Sequence, residues 1–563
     1  MDASTIHARR WWTLAVLCLS LLIIGLDNTI LNVALPTLVR DLHASQSQLQ
    51  WIVDTYTIVY ASMLLTTGSM GDKFGRKGAL TVGLFVFGLG SVASAFSGSA
   101  SLLIAARGLA GLGGCIIMPA TLSILTNIFP VEERGKAIGI WAGVSGLGIV
   151  VGPTVGGYLL QHFWWGSVFL VNVPVVIGAL IAGHFLVPTS KDPSSPRLDP
   201  IGTVLSAVGL VGVLYAIIEG PTNGWFNTSV VAVFVLGAIL LGSFIWWELH
   251  SDHPMLDVRF FQNPRFSGAS IAVTLTFFAM FGSLFFLTQY LQDVLGYSAL
   301  RAGLGFAPLA IMLMISAPIS ARFTRRFGTK RVVAAGMVGI GASMLLLSQA
   351  TVHSGFLLVG VMLALLGAGI GTAMSPATES IMGSLPLAKA GVGSAVNDTT
   401  RQVGGALGVA VLGSITNSVY RSHIAASAAV TALPAAARAA IQDGVGNALA
   451  TAQSLGSGTA AHAVAADAKL AFVHAMTITV TIGAAFALAG ALVALLWLPA
   501  RPPLAPVGDI PQSDTIEAAT PESAGLDAVT VSPGGATPVA PAAASLLDAA
   551  DLAVNNEIDP VVS

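Results

Sequence analysis

The sequence predicts an all-α polytopic membrane protein with fourteen transmembrane helices, and three observations support this. Of its 563 residues, 54% are hydrophobic and only 9% are charged, and the mean hydropathy of +0.81 lies far above that of soluble enzymes. The apolar residues form continuous runs of about 20, the length that crosses a hydrocarbon core of about 30 Å. Because the runs do not alternate and are about twice as long as a barrel strand, they exclude a β-barrel.

Fourteen apolar runs, separated by short polar or glycine-rich breaks, are predicted to be helices. They lie at 12–36, 49–70, 78–97, 101–125, 136–160, 166–187, 199–219, 229–248, 266–291, 299–320, 331–350, 355–379, 391–417 and 471–498. Most of the 25 Lys and Arg residues fall in segments that are cytoplasmic if the N-terminus is inside. The positive-inside rule therefore predicts that both termini are cytoplasmic, and the even number of helices agrees.

Three segments interrupt the helices. The Pro/Ser-rich stretch 188–198 is predicted to be a cytoplasmic linker, 418–470 to be an Ala-rich outer loop with a short helix after Pro434, and 499–563 to be a disordered cytoplasmic tail. The predicted domains are an N-terminal six-helix bundle (1–187), the linker with two extra helices (188–265) and a C-terminal six-helix bundle (266–498).

Two basic, glycine-containing turns indicate an internal repeat. "GSMGDKFGRK" (68–77) follows the second predicted helix, and "ARFTRRFGTKR" (321–331) follows the tenth, both on the predicted cytoplasmic side. Such duplication, with a central site between two halves, is typical of secondary transporters.

Several stretches then resemble one family. The turn at 68–77 is similar to the loop signature G-x-L-A-D-x-x-G-R-K of the major facilitator superfamily, with matches at Gly68, Gly71, Asp72, Gly75, Arg76 and Lys77. "LIAARGLAGLGG" (103–114) resembles the motif centred on Arg107 in that family's fourth helix, although Ala110 stands where many members have Gln. "GIVVGPTVGG" (148–157) resembles the antiporter motif of the fifth helix, with Gly148, Gly152, Pro153, Gly156 and Gly157.

Together with "LDNTILNVALP", "WIVDTY" and "FLVNVP", these motifs resemble the fourteen-helix drug:proton antiporters, which include quaternary ammonium exporters, over residues 12–498. The resemblance implies the major facilitator fold of two six-helix bundles plus two extra helices, here 199–219 and 229–248. It also implies a monomer in a bacterial plasma (inner) membrane that exports small amphipathic substrates by alternating access. The driving force would be the proton gradient, with no cofactor and no ATPase subunit.

The loop residue Asp72 has two interpretations. It can be part of a charged cytoplasmic turn, or it can cap a helix and, with Lys73, Arg76 and Lys77, form a latch that closes the bundles on the cytoplasmic side. The glycines at 148, 152 and 156 form a flat face for close helix packing, which Pro153 can kink. We expect this face to seal the bundles against each other.

Five ionisable residues are predicted inside helices, where such groups face a cavity or a partner. They are Asp27, Asp54, Arg107, Asp398 and Arg401. The alternative for each is a structural ion pair, and two such pairs can be named: Asp398 with Arg401 on the same helix, and Asp27 with Arg107. Asp27 is the leading candidate for the proton site, modulated by Arg107. A permanent Asp27–Arg107 salt bridge would deny it that role.

Asp54 lies near Trp51 and Tyr56 in sequence. An acid with aromatic neighbours suits a lipophilic cation, so we assign all three to the cavity as a substrate or proton site, against the alternative of a helix contact. Asp398 and Arg401 are assigned to the same cavity. Gln402 stands where dication exporters have a second acid, and Arg401 opposes cations, which argues against strong transport of dications.

Three functions remain possible: an exporter of amphipathic drugs or dyes, an exporter dedicated to one metabolite, lipid or self-made antibiotic, and a membrane enzyme or channel. No G-x-x-x-x-G-K-[ST] loop, H-E-x-x-H pair or His/Cys cluster occurs. We therefore expect that the protein is not an enzyme and that it binds neither a metal nor a nucleotide. The net charge of −2 also gives no reason to expect a nucleic-acid partner. Glu379 and His474 are expected to be interfacial or packing residues.

Overall fold

The computed structural model describes residues 3–42, 46–190, 199–251 and 254–499. Residues 191–198 of the predicted linker lie outside them, as does the predicted tail from residue 500 on. Met1–Pro503 forms one unit by its internal contacts, and Leu504–Ser563 is a separate unit outside the described residues.

Seven helices form the first half of the described chain, the N half. They are α1 (Ala3–Leu42), α2 (Gln46–Phe74), α3 (Arg76–Ala95), α4 (Ala100–Ile128), α5 (Val131–His162), α6 (Ser167–Leu170) and α7 (Asn172–Leu186). Two further helices, α8 (Pro200–Asn223) and α9 (Thr228–His250), then form a hairpin. Asp199 begins it, because its side chain accepts a hydrogen bond from the Gly202 N–H and Pro200 takes the first helical position.

The remaining helices form the C half. They are α10 (Pro264–Gln289, continued by a π-helical turn Tyr290–Val294), α11 (Ala299–Gly305), α12 (Ala307–Phe327), α13 (Thr329–Leu347), α14 (Phe356–Met382), α15 (Ala390–Ala425), α16 (Ala428–Thr431), α17 (Ala435–Gln442), α18 (Val445–Ser454) and α19 (Thr459–Trp497). We call the end that carries α16–α18 the outer end and the opposite end the cytoplasmic end, following the prediction from charge. Helix α17 begins directly after Pro434, which confirms the short helix predicted there.

Twelve segments in the described residues are long and apolar enough to cross a membrane, with α6–α7 and α11–α12 each counted as one. Helices α2, of 29 residues, and α5, of 32 residues, are long enough as well, and they coincide with the predicted runs 49–70 and 136–160. The two together complete the fourteen predicted helices. Several helices extend beyond the predicted runs, and the longest extension at a single end is that of α19, which begins at Thr459 instead of 471.

The two repeated cytoplasmic turns have the same backbone. Gly75 lies between α2 and α3 with φ = 112°, and Gly328 lies between α12 and α13 with φ = 83°. Residues with a Cβ rarely adopt such positive φ angles, so glycine lets each helix pair reverse direction without a longer loop. The sequence repeat is therefore also a structural repeat.

Helix α5 carries two glycine faces, and they contact different halves. Gly148, Gly152 and Gly156 pack against Gly25, Thr29 and Ile30 of α1. The expected seal between the bundles is thus not formed by this face, because α1 belongs to the same half. The packing that joins the halves comes from Gly139 and Gly143, which lie against Ala317 and Met314 of α12.

The first glycine face generates a testable contrast. A Cβ at Gly152 would collide with the Thr29 hydroxyl, which donates to the Gly148 carbonyl at 2.7 Å, whereas a Cβ at Gly157 would have no atom within 4 Å. We expect Gly152→Ala to destabilise the fold by about 1–3 kcal/mol and to lower the melting midpoint of the purified protein. Gly157→Ala should leave it unchanged, and equal midpoints for both variants would contradict this packing.

Candidate functional site

A buried ion pair joins α1 to α4. Nη1 of Arg107 lies 2.5 Å from Oδ2 of Asp27, and both side chains are excluded from solvent. Asn172 of α7 donates to Oδ1 of Asp27 at 3.0 Å. The predicted pairing is confirmed, and both carboxylate oxygens are occupied in this conformation. Each oxygen retains a second lone pair, so a proton can bind without displacing these partners, and it would remove the charge that attracts Arg107.

Arg107 has further partners besides the carboxylate. Its Nε donates to the Ile52 carbonyl at 3.3 Å, and its guanidinium lies 4.4 Å from the ring centroid of Tyr56. A cation over an aromatic face retains part of its electrostatic stabilisation when its carboxylate is neutralised. The surroundings of Arg107 thus provide contacts that can hold it when the ion pair opens.

The second ion pair lies at the junction of the two halves. Nη1 of Arg401 is 3.5 Å from Oδ1 of Asp398, and the guanidinium lies 4.9 Å from the ring of Trp141, which belongs to α5 of the N half. Among the described residues, neither Oδ2 of Asp398 nor Nε of Arg401 has a hydrogen-bond partner. Unpaired buried polar atoms are costly, so this pair is less completely satisfied than Asp27–Arg107.

A cavity of about 510 Å³ lies in the outer part of the protein. Its lining includes Asp54 of α2, Ile218 of α8, Phe285, Phe286 and Gln289 of α10, Ser414, Asn417, Tyr420 and Arg421 of α15, Asp443 before α18, and Phe472 of α19. The volume suits a drug-sized molecule, and an acid in aromatic surroundings is suited to an organic cation. At its exposed rim, Arg421 and Asp443 pair at 3.3 Å.

The structure separates the three residues of "WIVDTY" that were assigned to the cavity. Asp54 lines the cavity, whereas Trp51 stacks on Tyr215 of α8 and Tyr56 is buried beneath Arg107. Residues two apart on a helix point in nearly opposite directions, so Asp54 and Tyr56 cannot share a face. Of the five residues assigned to the cavity, Asp54 alone belongs to its lining, since Asp398 and Arg401 lie at the junction of the halves.

The residues of the predicted latch lie at the cytoplasmic end, where Asp72 bonds to both halves. Asp72 accepts two hydrogen bonds from Arg76 (2.9 and 2.8 Å) and accepts backbone N–H bonds from Gly391 (2.8 Å) and Val392 (3.2 Å) at the start of α15. Nη2 of Arg76 also donates to the Leu387 carbonyl at 2.8 Å. The residue thus caps a helix of the other half, as one of the two interpretations predicted, and its charge lies at the positive end of that helix.

The other loop residues have different roles. Gly68 lets α2 approach α15, because a Cβ there would meet the Gly391 carbonyl and the Ala395 side chain. Gly71 makes no comparably close contact, since the nearest atom to a Cβ there would be 3.6 Å away. Lys77 donates to the His184 carbonyl at 2.7 Å and so stays within the N half. Only part of the signature therefore joins the two halves.

Glu379 contributes a second contact between the halves at this end. A Cβ on Gly135 of α5 would lie 2.7 Å from its Oε2, and Ser375, one turn earlier on α14, donates to the Gly135 carbonyl at 3.2 Å. Glu379 is therefore interfacial, as expected. The sequence reasoning missed Gly135, Gly139 and Gly143, although their four-residue spacing is the signal that revealed the other glycine face.

The comparisons with known proteins agree with this architecture. A family model described as Major Facilitator Superfamily matches residues 17–409. The chain is 36% identical over 488 residues to the multidrug efflux pump LfrA of Mycolicibacterium smegmatis, covering 86% of this chain and 95% of LfrA. It is 32% identical to the tetracenomycin C resistance and export protein of Streptomyces glaucescens, covering 74% of this chain and 78% of that protein.

Further similarities extend this set. The chain is 33% identical to the methyl viologen resistance protein SmvA of Salmonella typhimurium over 74% of this chain and 84% of SmvA. Among solved structures, the proton:xylose symporter XylE is similar, with a TM-score of 0.58 over 87% of this chain and 96% of XylE, at 13% identity. At that identity the likeness concerns the fold alone.

The latch geometry predicts an effect on access from the cytoplasm. Asp72→Asn removes the charge that binds the α15 N-terminus and Arg76, so the cytoplasmic end should open more often. A cysteine at Ser394, which is buried on α15, should then react about tenfold faster with maleimide from that side.

The matched control is Asp199→Asn, which weakens the acidic cap of α8 but removes none of the bonds between Asp72 and α15. The control should leave the reaction rate of the Ser394→Cys reporter unchanged. An Asp72→Asn variant that reacts no faster than its parent would show that Asp72 does not hold the cytoplasmic end closed.

Proposed function

The chain belongs to the major facilitator superfamily, and from that membership we propose that it exports amphipathic, mainly cationic compounds in exchange for protons. It acts as a monomer by alternating access in a bacterial plasma membrane, with both termini cytoplasmic. One observation carries the proposal above all. A cavity containing Asp54 lies in the outer part of the protein while Asp72 joins the two halves at the cytoplasmic end.

Alternating access follows from where these contacts lie. The latch connects α2 of the N half to α15 of the C half, so the cytoplasmic end can open only when the bonds from Gly391 and Val392 to Asp72 break. The glycine contacts between α5 and α12 offer a smooth surface on which the halves can rotate. Closing the outer end would then end access to the cavity from the outer side.

Two carboxylates are candidates for coupling this motion to protons. We place proton binding at Asp27, where protonation would release Arg107 onto Tyr56 and Ile52 and so alter the packing of α1 against α4. A permanent ion pair would prevent this, so the role requires the 2.5 Å contact to open during the cycle. Asp398 is the second candidate, because one of its oxygens has no hydrogen-bond partner among the described residues and it lies where the halves meet.

The cavity supports a broad class of substrates. Asp54 supplies negative charge while Phe285, Phe286 and Phe472 supply aromatic surface, which together suit lipophilic cations of varied shape. The name of LfrA, a multidrug efflux pump, agrees with such substrates. SmvA is named for resistance to methyl viologen, a dication, which is the class of cation that Gln402 and Arg401 argue against in this chain. A dedicated exporter of one compound is the second candidate function, because another relative is named for tetracenomycin C.

The proton gradient provides enough free energy. One pH unit supplies about 1.4 kcal/mol, which sustains a tenfold concentration ratio, and each net charge moved across 100 mV adds about 2.3 kcal/mol. Exchange of one proton for one monocation is electroneutral and uses the pH term alone. Export of a neutral compound would use the voltage as well.

Transport in proteoliposomes tests the proton assignment. With a pH gradient, the parent protein should drive ethidium transport that a protonophore abolishes. We expect Asp27→Asn to remove this proton dependence, because an amide cannot carry the proton, while facilitated ethidium exchange without a gradient persists. Full gradient-driven transport by Asp27→Asn with loss in Asp398→Asn would move the proton site to Asp398.

The cavity acid yields a separate prediction. Asp54→Asn should weaken ethidium binding about tenfold or more, since it removes the charge that attracts a cation in a medium of low dielectric constant. Binding of a neutral amphipathic dye of similar size should change little. Asn417→Asp serves as the converse control, because it adds a second acid to the same lining and should strengthen cation binding. Equal losses for both dyes would contradict an electrostatic role for Asp54.

A further inference from the structure

Helix α8 of the extra hairpin lies across the seam between the two halves. It packs against α2 of the N half and against α15 of the C half, while α9 packs on α8. Helices α2 and α15 are the two that the cytoplasmic latch connects. The extra hairpin therefore lies along the same seam that Asp72 joins at the cytoplasmic end.

Two contacts attach the outer part of α8 to the two halves. The ring of Tyr215 stacks on Trp51 of α2, with 6.0 Å between centroids. Beyond the end of α8, the indole N–H of Trp225 donates to the Ser414 hydroxyl of α15 at 2.8 Å. Gly220 provides the space for this indole, because a Cβ there would lie 2.7 Å from the Trp225 ring.

The same region of α8 borders the cavity. Ile218, one turn after Tyr215, belongs to the lining, and so does Ser414, the acceptor of the Trp225 hydrogen bond. Helix α9, which begins just after the turn that ends α8 and packs on α8, exposes the apolar side chains Val231, Phe234 and Val235. In a membrane these side chains of α9 face lipid, so the hairpin of α8 and α9 stands between the bilayer and the cavity at the level of Ile218.

We propose that α8 is the membrane-side wall of the substrate cavity, that Ile218 limits the size of the cation it admits, and that the Trp225–Ser414 hydrogen bond holds the wall closed. The inference rests on the proposed export function and adds the extra hairpin to its substrate site. Because α2 and α15 move relative to each other in alternating access, a wall attached to both must detach from one of them during each cycle.

The Trp225–Ser414 contact is the attachment that opens. It is one hydrogen bond from a residue in the connection after α8, whereas Tyr215 is part of the helix and packs its ring on Trp51. Opening at Ser414 connects the cavity sideways with the outer leaflet. Amphipathic cations collect at that interface, so the side opening gives such a substrate a direct route out of the cavity.

Cysteine labelling tests the wall without requiring transport. The two native cysteines, Cys18 and Cys115, are buried, and both are replaced by alanine in the reporter background. Asn417→Cys in the cavity lining then serves as the reporter for a maleimide that partitions into the bilayer, and a membrane-impermeant maleimide measures access to the same cysteine from the aqueous outer side. We expect Trp225→Phe and Ser414→Ala each to accelerate labelling about fivefold, the effect of one lost hydrogen bond, and the double variant to show no further gain.

The matched control is Trp246→Phe, the same substitution on the exposed face of α9 in the same hairpin. It should leave the labelling rate unchanged. Unchanged rates in Trp225→Phe and Ser414→Ala, additive effects in the double variant, or an equal acceleration in Trp246→Phe would each overturn the assignment.

Protection of the same reporter by cations tests the role of Ile218. Ile218→Trp should raise about fivefold the ethidium concentration that halves the labelling rate, and Ile218→Ala should lower that concentration. The corresponding concentration of the smaller tetramethylammonium ion should change little in Ile218→Trp. Val208→Trp places the same bulk at an exposed position of α8 and should match the parent. Equal effects of Ile218→Trp and Val208→Trp, or none from either Ile218 variant, would contradict a size-limiting wall.

The two failures are distinguishable. If the parent protein neither exports ethidium nor is protected by it, the proposed export of cations is wrong, whereas the labelling rates of the Trp225 and Ser414 variants still decide whether α8 closes the cavity. If the parent exports ethidium but these variants behave as the parent does, only the role of α8 is refuted.

Discussion

The bond network around Asp72 is the constraint on which the arrangement of the two halves depends. A single buried carboxylate binds Arg76 of its own half and two backbone N–H groups at the start of α15 in the other half. Both partners favour the ionised carboxylate, and neither can be replaced by water in the closed state without a loss of stability. In this conformation these bonds join the two halves at the cytoplasmic end, and the cavity lies towards the outer end.

The two buried ion pairs differ in what they can contribute to this cycle. Asp27 and Arg107 lie within the N half and satisfy each other almost completely with help from Asn172. Asp398 and Arg401 lie at the junction, where Arg401 contacts Trp141 of the opposite half and one oxygen of Asp398 has no hydrogen-bond partner in the described part of the chain. A change of protonation at the first pair acts through packing inside one bundle, whereas a change at the second acts directly on the contact between bundles.

Much of the fold follows from sequence because the bilayer imposes simple requirements. Continuous apolar runs predict the spans, and glycines before a basic turn predict reversals such as those at Gly75 and Gly328. Helix ends are harder to predict. Helix α19, for example, begins at Thr459, before its apolar part, where hydropathy gives no signal of a helix. Residues 191–198, between the N half and α8, lie outside the described residues.

The site was predictable residue by residue but not as a set. Asp27 with Arg107, and Asp72 with a helix N-terminus, follow from the cost of a buried charge, which demands a partner. The neighbour that a residue contacts depends on how its helix is rotated about its axis. The rotation of α2 separates Asp54 from Tyr56, and that of α5 directs Gly152 towards α1 instead of α12. The place of Trp51 against α8 could not be foreseen, because nothing in its own sequence surroundings indicates where the extra hairpin packs.

Opposite movement of the two ends is the central claim, and distance measurements between spin labels test it most directly. One pair joins Lys73 and Lys389 across the cytoplasmic end, and the other joins Phe163 and Leu357, which are exposed at the outer ends of α5 and α14. Lowering the pH or adding a saturating lipophilic cation should lengthen one distance while the other shortens. Distances that change together, or that stay constant under both conditions in a protein that transports, would contradict alternating access through the Asp72 latch.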